Sequence, residues 1–149
     1  MKRIVTLALI MFLVASSGYC VGPKATAITL GGSTTIAISG TDTVYTDTYL
    51  LSYVDYMAIR YKASSSGVVN LKIEMEQDIE APATENVSDT DMTEPDDLPD
   101  VDTALTDTNN HKKQFLPDTF KCYRFKITGL AGNDASTTLT IYVSNITGR

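Results

Sequence analysis

VVNLKIEMEQ, residues 68–77, is the stretch that decides the fold. Its apolar side chains Val69, Leu71, Ile73 and Met75 alternate with polar side chains at the positions between them. A period of two is typical of a β-strand with one buried face, because successive side chains point to opposite sides of the sheet. The sequence therefore predicts a half-buried strand here.

The same alternation recurs along most of the chain. It predicts six further strands, at residues 26–30, 34–39, 43–50, 53–62, 121–128 and 136–144. The sequence predicts no long amphipathic helix to cover their apolar faces, so two antiparallel sheets packed face to face are the expected solution. We therefore expect an all-β chain that folds as a single antiparallel β-sandwich of about seven strands, either jelly-roll or immunoglobulin-like.

The N-terminus predicts export from the cell. Two cations precede an apolar run that ends in small residues, which is the pattern of a secretory signal peptide over residues 1–17, cleaved after Ser17 or Gly18. The run is too short to cross a bilayer, so we expect no transmembrane anchor in the mature domain, residues 18–149. The expected location is extracellular or at the cell surface, with the periplasm as the other possibility.

The mature chain is acidic. Lys2 and Arg3 leave with the signal peptide, so the 12 basic and 18 acidic side chains of the whole sequence become 10 and 18. A net charge of −8 disfavours nucleic acid as a partner.

Most of the negative charge lies in one segment. Eleven acidic side chains fall between positions 78 and 107, and no Lys or Arg occurs between positions 72 and 112. This composition predicts a long acidic loop inserted into the domain over residues 78–110. Within it, Asp100 is a predicted cap for one helical turn over residues 101–105.

Calcium is one possible ligand of the insert, because calcium takes six to eight oxygen ligands. The spacing does not match the EF-hand pattern. The best ligands would be Asp96, Asp97, Asp100 and Asp102.

Five cations outside the insert fall on the polar faces of predicted strands. They are Arg60, Lys62, Lys72, Arg124 and Lys126. If their strands are neighbours in one sheet, they form a basic face that contacts the acidic insert, within one protomer or between two. Contacts between protomers predict a homo-oligomer or a polymer. The alternative is that both sets of charges face water, where an exposed ion pair contributes only ~0–1 kcal/mol.

Tyrosines are dense between positions 45 and 61, and Tyr45 and Tyr49 are candidates to stack on a sugar ring of a surface glycan. The same rings would suit a protein interface, or would cover the edge of the core with their hydroxyls in water.

Two cysteines remain after export, Cys20 and Cys122. In an oxidising compartment they predict a disulfide that joins the N-terminal arm to the domain, and the alternative is that Cys122 is a buried small residue. Only one histidine, His111, exists, and no nucleophile motif accompanies it. We therefore expect neither a Cys/His metal site nor an enzyme.

The expected function is a secreted structural or adhesive protein that self-assembles into a filament, sheath or shell. Strand edges at residues 26–39 and 136–144 are the predicted places for a neighbour to add. A carbohydrate-binding module or a calcium-dependent adhesion module is the alternative.

Overall fold

A computed structural model of the chain describes residues 25–50, 56–78, 101–115 and 122–146. Within these ranges the protein is all-β and has no helix. The predicted signal peptide and Cys20 lie outside them. In chain order the strands are β1 (Thr26–Ala27), β2 (Ile36–Ile38), β3 (Thr43–Tyr45), β4 (Tyr49–Leu50), β5 (Tyr56–Ser64), β6 (Leu71–Asp78), β7 (Asp102–Leu105), β8 (His111–Phe115), β9 (Cys122–Gly129) and β10 (Thr137–Ile146).

The strands form two five-stranded antiparallel sheets that pack against each other. In the first sheet β10 pairs with β1 and β2 on one side and with β5 on the other, and β5 then pairs with β8. In the second sheet β9 pairs with β3 and β4 on one side and with β6 on the other, and β6 then pairs with β7. This architecture is consistent with a β-sandwich.

The core lies between the inner faces of the two sheets. The apolar face predicted for residues 68–77 is confirmed, because Val69, Leu71, Ile73 and Met75 are each at most 5% exposed. The polar face is not open to water as expected, since Glu74 and Glu76 are also buried, at 4% and 7% exposure. The four apolar side chains pack in one cluster with the inner residues of the other long strands, such as Ile59 and Phe125. Removing an aliphatic side chain of this size from water contributes about 1.5–3 kcal/mol.

Two strands of the structure, β7 and β8, have no counterpart among the predicted ones. The helical turn expected over residues 101–105 is wrong, since Asp102–Leu105 is a strand. Val101 and Leu105 are both buried, and β7 joins the second sheet through a register shift opposite Leu71 and Ile73. Part of the expected insert, residues 102–110, thus belongs to β7 and its connection to β8.

The edges of the first sheet differ from those expected. Strand β10 is paired on both sides, so the C-terminal strand is an interior strand and not the edge that we predicted. Strands β1 and β2 do lie at an edge, end to end along β10. Between them the Ile28 amide donates to the Ile141 carbonyl at 2.9 Å, which continues the ladder.

A tight turn at Gly31 and Gly32 separates β1 from β2. Both glycines have positive φ, 56° and 80°, as the mirror-image turns of hairpins require. The carboxylate of Asp47 accepts hydrogen bonds from both amides, at 2.8 and 3.2 Å, and from the Thr29 hydroxyl. Burial acts to raise the pKa of Asp47, but the bonds from Thr29, Gly31 and Gly32 outweigh it and hold that pKa below its ordinary value.

Candidate anion-binding groove

The outer face of the first sheet carries a basic groove. Along each strand the odd-numbered residues, such as Ile59 on β5 and Ile141 on β10, point into the core, and the residues between them point outward. In the registered row across β10, β5 and β8, Tyr142 lies opposite Arg60, and Arg60 lies opposite Lys112. One aromatic ring and two cations are thus placed side by side by backbone pairing.

Arg60 and Lys112 are exposed and directly opposed. Cross-strand partners have Cβ atoms about 4.5–5.5 Å apart, and like charges in that position destabilise the sheet. The guanidinium of Arg60 lies over the Tyr142 ring, 5.0 Å from its centroid, a cation–π contact that offsets part of the repulsion. The arrangement therefore concentrates positive charge. In the described part of the chain, no carboxylate lies between the two cations.

The groove has a volume of about 240 Å³. The small side chains Ala58 and Ser144 also line it. No acidic residue lines it within the described ranges. A guanidinium binds carboxylate or phosphate oxygens through a rigid fork of N–H donors, while ammonium groups act as point charges, so the groove is suited to an anionic group.

The five cations predicted to form one basic face lie on two different sheets. Arg60 and Lys62 are exposed on β5 in the first sheet, whereas Lys72, Arg124 and Lys126 lie on β6 and β9 in the second. The condition for a single face is therefore not met. The interface role of Arg60 and Lys62 stays a prediction, and Lys112 is the cation that the sheet places beside them.

The outward exposure expected for Arg124 is wrong. Its side chain is 0% exposed, its Nε donates to Glu76 Oε2 at 2.8 Å, and its guanidinium lies 4.5 Å from the Tyr45 ring centroid. Among the described residues no hydrogen-bond partner reaches its Nη1 or Nη2. Beside it, Glu74 pairs with Lys72 and, at 3.3 Å, with Lys126. These cations are compensated by carboxylates and do not resemble an open binding face.

Tyr45 and Tyr49 lie on opposite faces of the second sheet. Tyr45 is opposite Lys126 and covers Arg124, while Tyr49 is opposite Tyr123 and packs against the core. The Tyr49 hydroxyl accepts from the Thr29 amide at 2.7 Å, and its ring stacks on Tyr123 at 5.7 Å. The two rings therefore cannot form one stacking platform, and a sugar-stacking role for either stays a prediction.

Three of the four predicted calcium ligands, Asp96, Asp97 and Asp100, lie outside the described residues. Asp102 is on β7, where Oδ2 accepts from the Tyr61 hydroxyl at 2.9 Å and Oδ1 from the Ala104 amide at 3.2 Å. Within the described ranges no group of three or more metal-ligating side chains occurs. Calcium binding by the insert stays a prediction.

Cys122 begins β9 and is fully buried, paired across the sheet with Leu50 and Asp78. Its predicted disulfide partner, Cys20, is outside the described residues, so the disulfide stays a prediction.

His111 belongs to a small cluster at the edge where the two sheets meet. Its ring stacks on Tyr61 at 5.3 Å, and its Nε2 is 2.8 Å from Asp107 Oδ1. Because Tyr61 is on β5 and its bonded carboxylate, Asp102, is on β7, the cluster joins the first sheet to the second. Hydrogen bonds from the His111 side chain and the Asn109 amide hold the pKa of Asp107 below its ordinary value.

Comparisons with known proteins leave the site to be interpreted from its chemistry. No protein-family model and no curated protein matches the sequence. In the described residues there is no helix with the length and hydropathy to cross a membrane.

Proposed function

We propose that this protein is a secreted structural or adhesive β-sandwich that assembles with copies of itself, and that the basic groove on its first sheet binds carboxylates of a partner. The observation that carries the proposal is the opposed pair Arg60 and Lys112, which the free protein maintains at a cost in stability. A bound carboxylate between them would turn this repulsion into attraction.

The strand order supports a jelly-roll as the type of sandwich. Treating β1 with β2, and β3 with β4, as two interrupted strands gives eight strands, the number in a jelly-roll. The first of the eight pairs with the last, the second with the seventh, the third with the sixth and the fourth with the fifth. This nesting is that of one long hairpin rolled into two sheets. Jelly-rolls occur in shell-forming and in lectin domains, so the fold suits either candidate function.

The two edges of the first sheet suit different contacts. Edge strand β8 carries Lys112 and Lys113, and like charges oppose the pairing of two such edges from different molecules. The edge formed by β1 and β2 has no cation among its strand residues, so it is our candidate for adding a neighbouring strand.

The test is the molar mass of the mature protein by light scattering in low and high salt. We expect assemblies in low salt that dissociate in high salt, since exposed charges are screened beyond ~8–10 Å at physiological ionic strength. The variant Arg60→Gln/Lys112→Gln should lose assembly, and Lys126→Gln, which removes a cation from the second sheet and leaves Lys72 to pair with Glu74, should retain it. A wild type that is monomeric in every buffer would refute self-assembly.

A carbohydrate-binding or calcium-dependent adhesion module is the second candidate. The half-buried Tyr142 ring beside Arg60 in the groove favours a glycan that carries a carboxylate, because a ring face and a cation together suit an acidic sugar. A glycan array separates the two functions. Binding that is lost in Tyr142→Ala but kept in Tyr45→Ala would favour the module, and an array that stays blank would count against it. Assembly that needs calcium and is reversed by chelator would favour the calcium-dependent form.

A further inference from the structure

We propose that the occupant of the groove is the acidic segment DTDMTEPDD, residues 89–97, of a second copy of this chain. This inference rests on the proposed function and names the partner of the same site. It predicts a head-to-tail contact, in which each copy supplies a groove to one neighbour and an acidic segment to another.

Charge complementarity is the first argument. The segment carries five acidic side chains and no basic one within nine residues. The cations on and beside the groove are Arg60, Lys62 and Lys112, all exposed. Potentials of opposite sign on two surfaces raise the rate of encounter and fix the register of the complex.

Spacing is the second argument. Arg60 and Lys62 are two residues apart on β5, so they project from the same face about 6.6 Å apart. An extended peptide with carboxylates two residues apart has the same spacing, and Asp89 with Asp91 meets it. We assign one of these carboxylates to the Arg60–Lys112 pair and the other to Lys62.

Other acidic pairs with this spacing in the region fit less well. The pair Asp78 and Glu80 includes a residue of β6, and the pair Asp100 and Asp102 includes a residue of β7. Each of these pairs therefore has one member that is already part of the second sheet. The remaining pair, Glu94 and Asp96, encloses Pro95, whose ring fixes φ at about −65°, so its neighbours do not project from one face as they do on an extended strand.

The positions of donor and acceptor favour two copies over one. Strands β6 and β7, which flank the segment in the chain, are neighbours in the second sheet, whereas the groove is on the outer face of the first. Because the segment and the groove are different parts of the molecule, a contact between copies is head-to-tail, and it generates a ring or an open filament according to whether the rotation closes.

Charge reversal tests the assignment. The groove variant is Arg60→Glu/Lys62→Glu, the segment variant is Asp89→Lys/Asp91→Lys, and the matched control is Glu80→Lys/Glu85→Lys, which makes the same charge change elsewhere in the insert. In low salt we expect monomers from each of the first two variants and wild-type assemblies from the control. Circular dichroism establishes that each variant is folded.

Mixing supplies the decisive result. An equimolar mixture of groove and segment variants should regain wild-type mass, because each reversed surface then faces its opposite charge, and the fourfold variant should assemble by itself. If the groove variant is monomeric and the segment variant assembles normally, this inference is wrong and the proposed function stands. If the control dissociates as fully as the segment variant, the assignment to residues 89–97 is wrong. A monomeric wild type would remove both proposals.

Discussion

Arg60 on β5 and Lys112 on β8 are direct cross-strand partners, and both side chains are exposed on the outer face of the first sheet. The second sheet treats its outward charges differently, because there Glu74 is opposite Lys126 and Glu76 is opposite Arg124. Opposite charges face each other across β6 and β9, and like charges face each other across β5 and β8. The proposal that the first sheet binds an external anion rests on this contrast.

Replacing Lys112 by Gln should stabilise the isolated protein. The substitution removes the repulsion between two opposed cations, which corresponds to about 0.2–1 kcal/mol in the free energy of unfolding. The control is Lys62→Gln, which removes the same charge at a site opposite Thr140 and should leave stability nearly unchanged. Urea denaturation of monomeric protein at low salt measures both. A Lys112→Gln variant that is less stable than wild type would contradict the account of the groove.

The sequence predicts the alternating strands well and misses two edge strands, β7 and β8. Residues 68–77, 121–128 and 136–144 correspond within a few residues to β6, β9 and β10, since each of these strands has a paired neighbour on both sides and one face on the core. Strand β8 reads HKKQF, in which only Phe115 is buried. An edge strand has few core contacts, so its sequence carries almost no period-two signal.

Breaking the buried pair of Arg124 and Glu76 should lower the free energy of unfolding, whereas Lys112→Gln should raise it. Glu76→Gln should lower the free energy of unfolding by about 3–5 kcal/mol, because it leaves the Arg124 charge buried without its carboxylate. Replacing both partners by apolar residues, Arg124→Met/Glu76→Leu, should recover most of that loss. Chemical denaturation of the Glu76→Gln variant, the double variant and the wild type is the measurement. If the Glu76→Gln variant and the double variant lose the same free energy of unfolding, the loss does not come from the unpaired charge of Arg124.

The sequence could predict only part of the candidate site, because alternation defines the face of a strand but not its neighbours. Alternation places Arg60 and Lys62 on the outer side of their strand, but it does not say which strand is adjacent, and Lys112 is brought to Arg60 by a pairing across about 50 residues of chain. Alternation also places Arg124 on the outer side of β9. It cannot predict that Tyr45, far away in sequence, covers the guanidinium.

Asp47 should make stability depend on pH at the acidic end. Its pKa is lower in the folded protein than in the unfolded chain, so its contribution is present above the unfolded value near 4 and is lost as the pH falls through the folded value. Asp47→Asn should cost about 1 kcal/mol at pH 7, because the Thr29, Gly31 and Gly32 donors lose a charged acceptor. The difference from wild type should shrink as the pH falls below the folded pKa of Asp47, whereas exposed Asp42→Asn should change stability little at any pH in this range. Thermal unfolding across this range is the measurement, and a constant difference would exclude the mechanism.

Tyr61 and Tyr123 should limit stability at alkaline pH. Burial raises the pKa of both phenols, and the hydrogen bond to Asp102 with the charges of Asp102 and Asp107 raises that of Tyr61 further. Because the unfolded phenols ionise near pH 10, their contribution is complete below that pH and is lost as the pH rises toward the folded values. Absorbance at the phenolate band should therefore show two tyrosines that ionise only as the protein unfolds. In Tyr61→Phe/Tyr123→Phe that late step should vanish, and the fall in stability above pH 10 should be smaller than in wild type. Two late-ionising tyrosines that persist in the double variant would assign the effect to other residues.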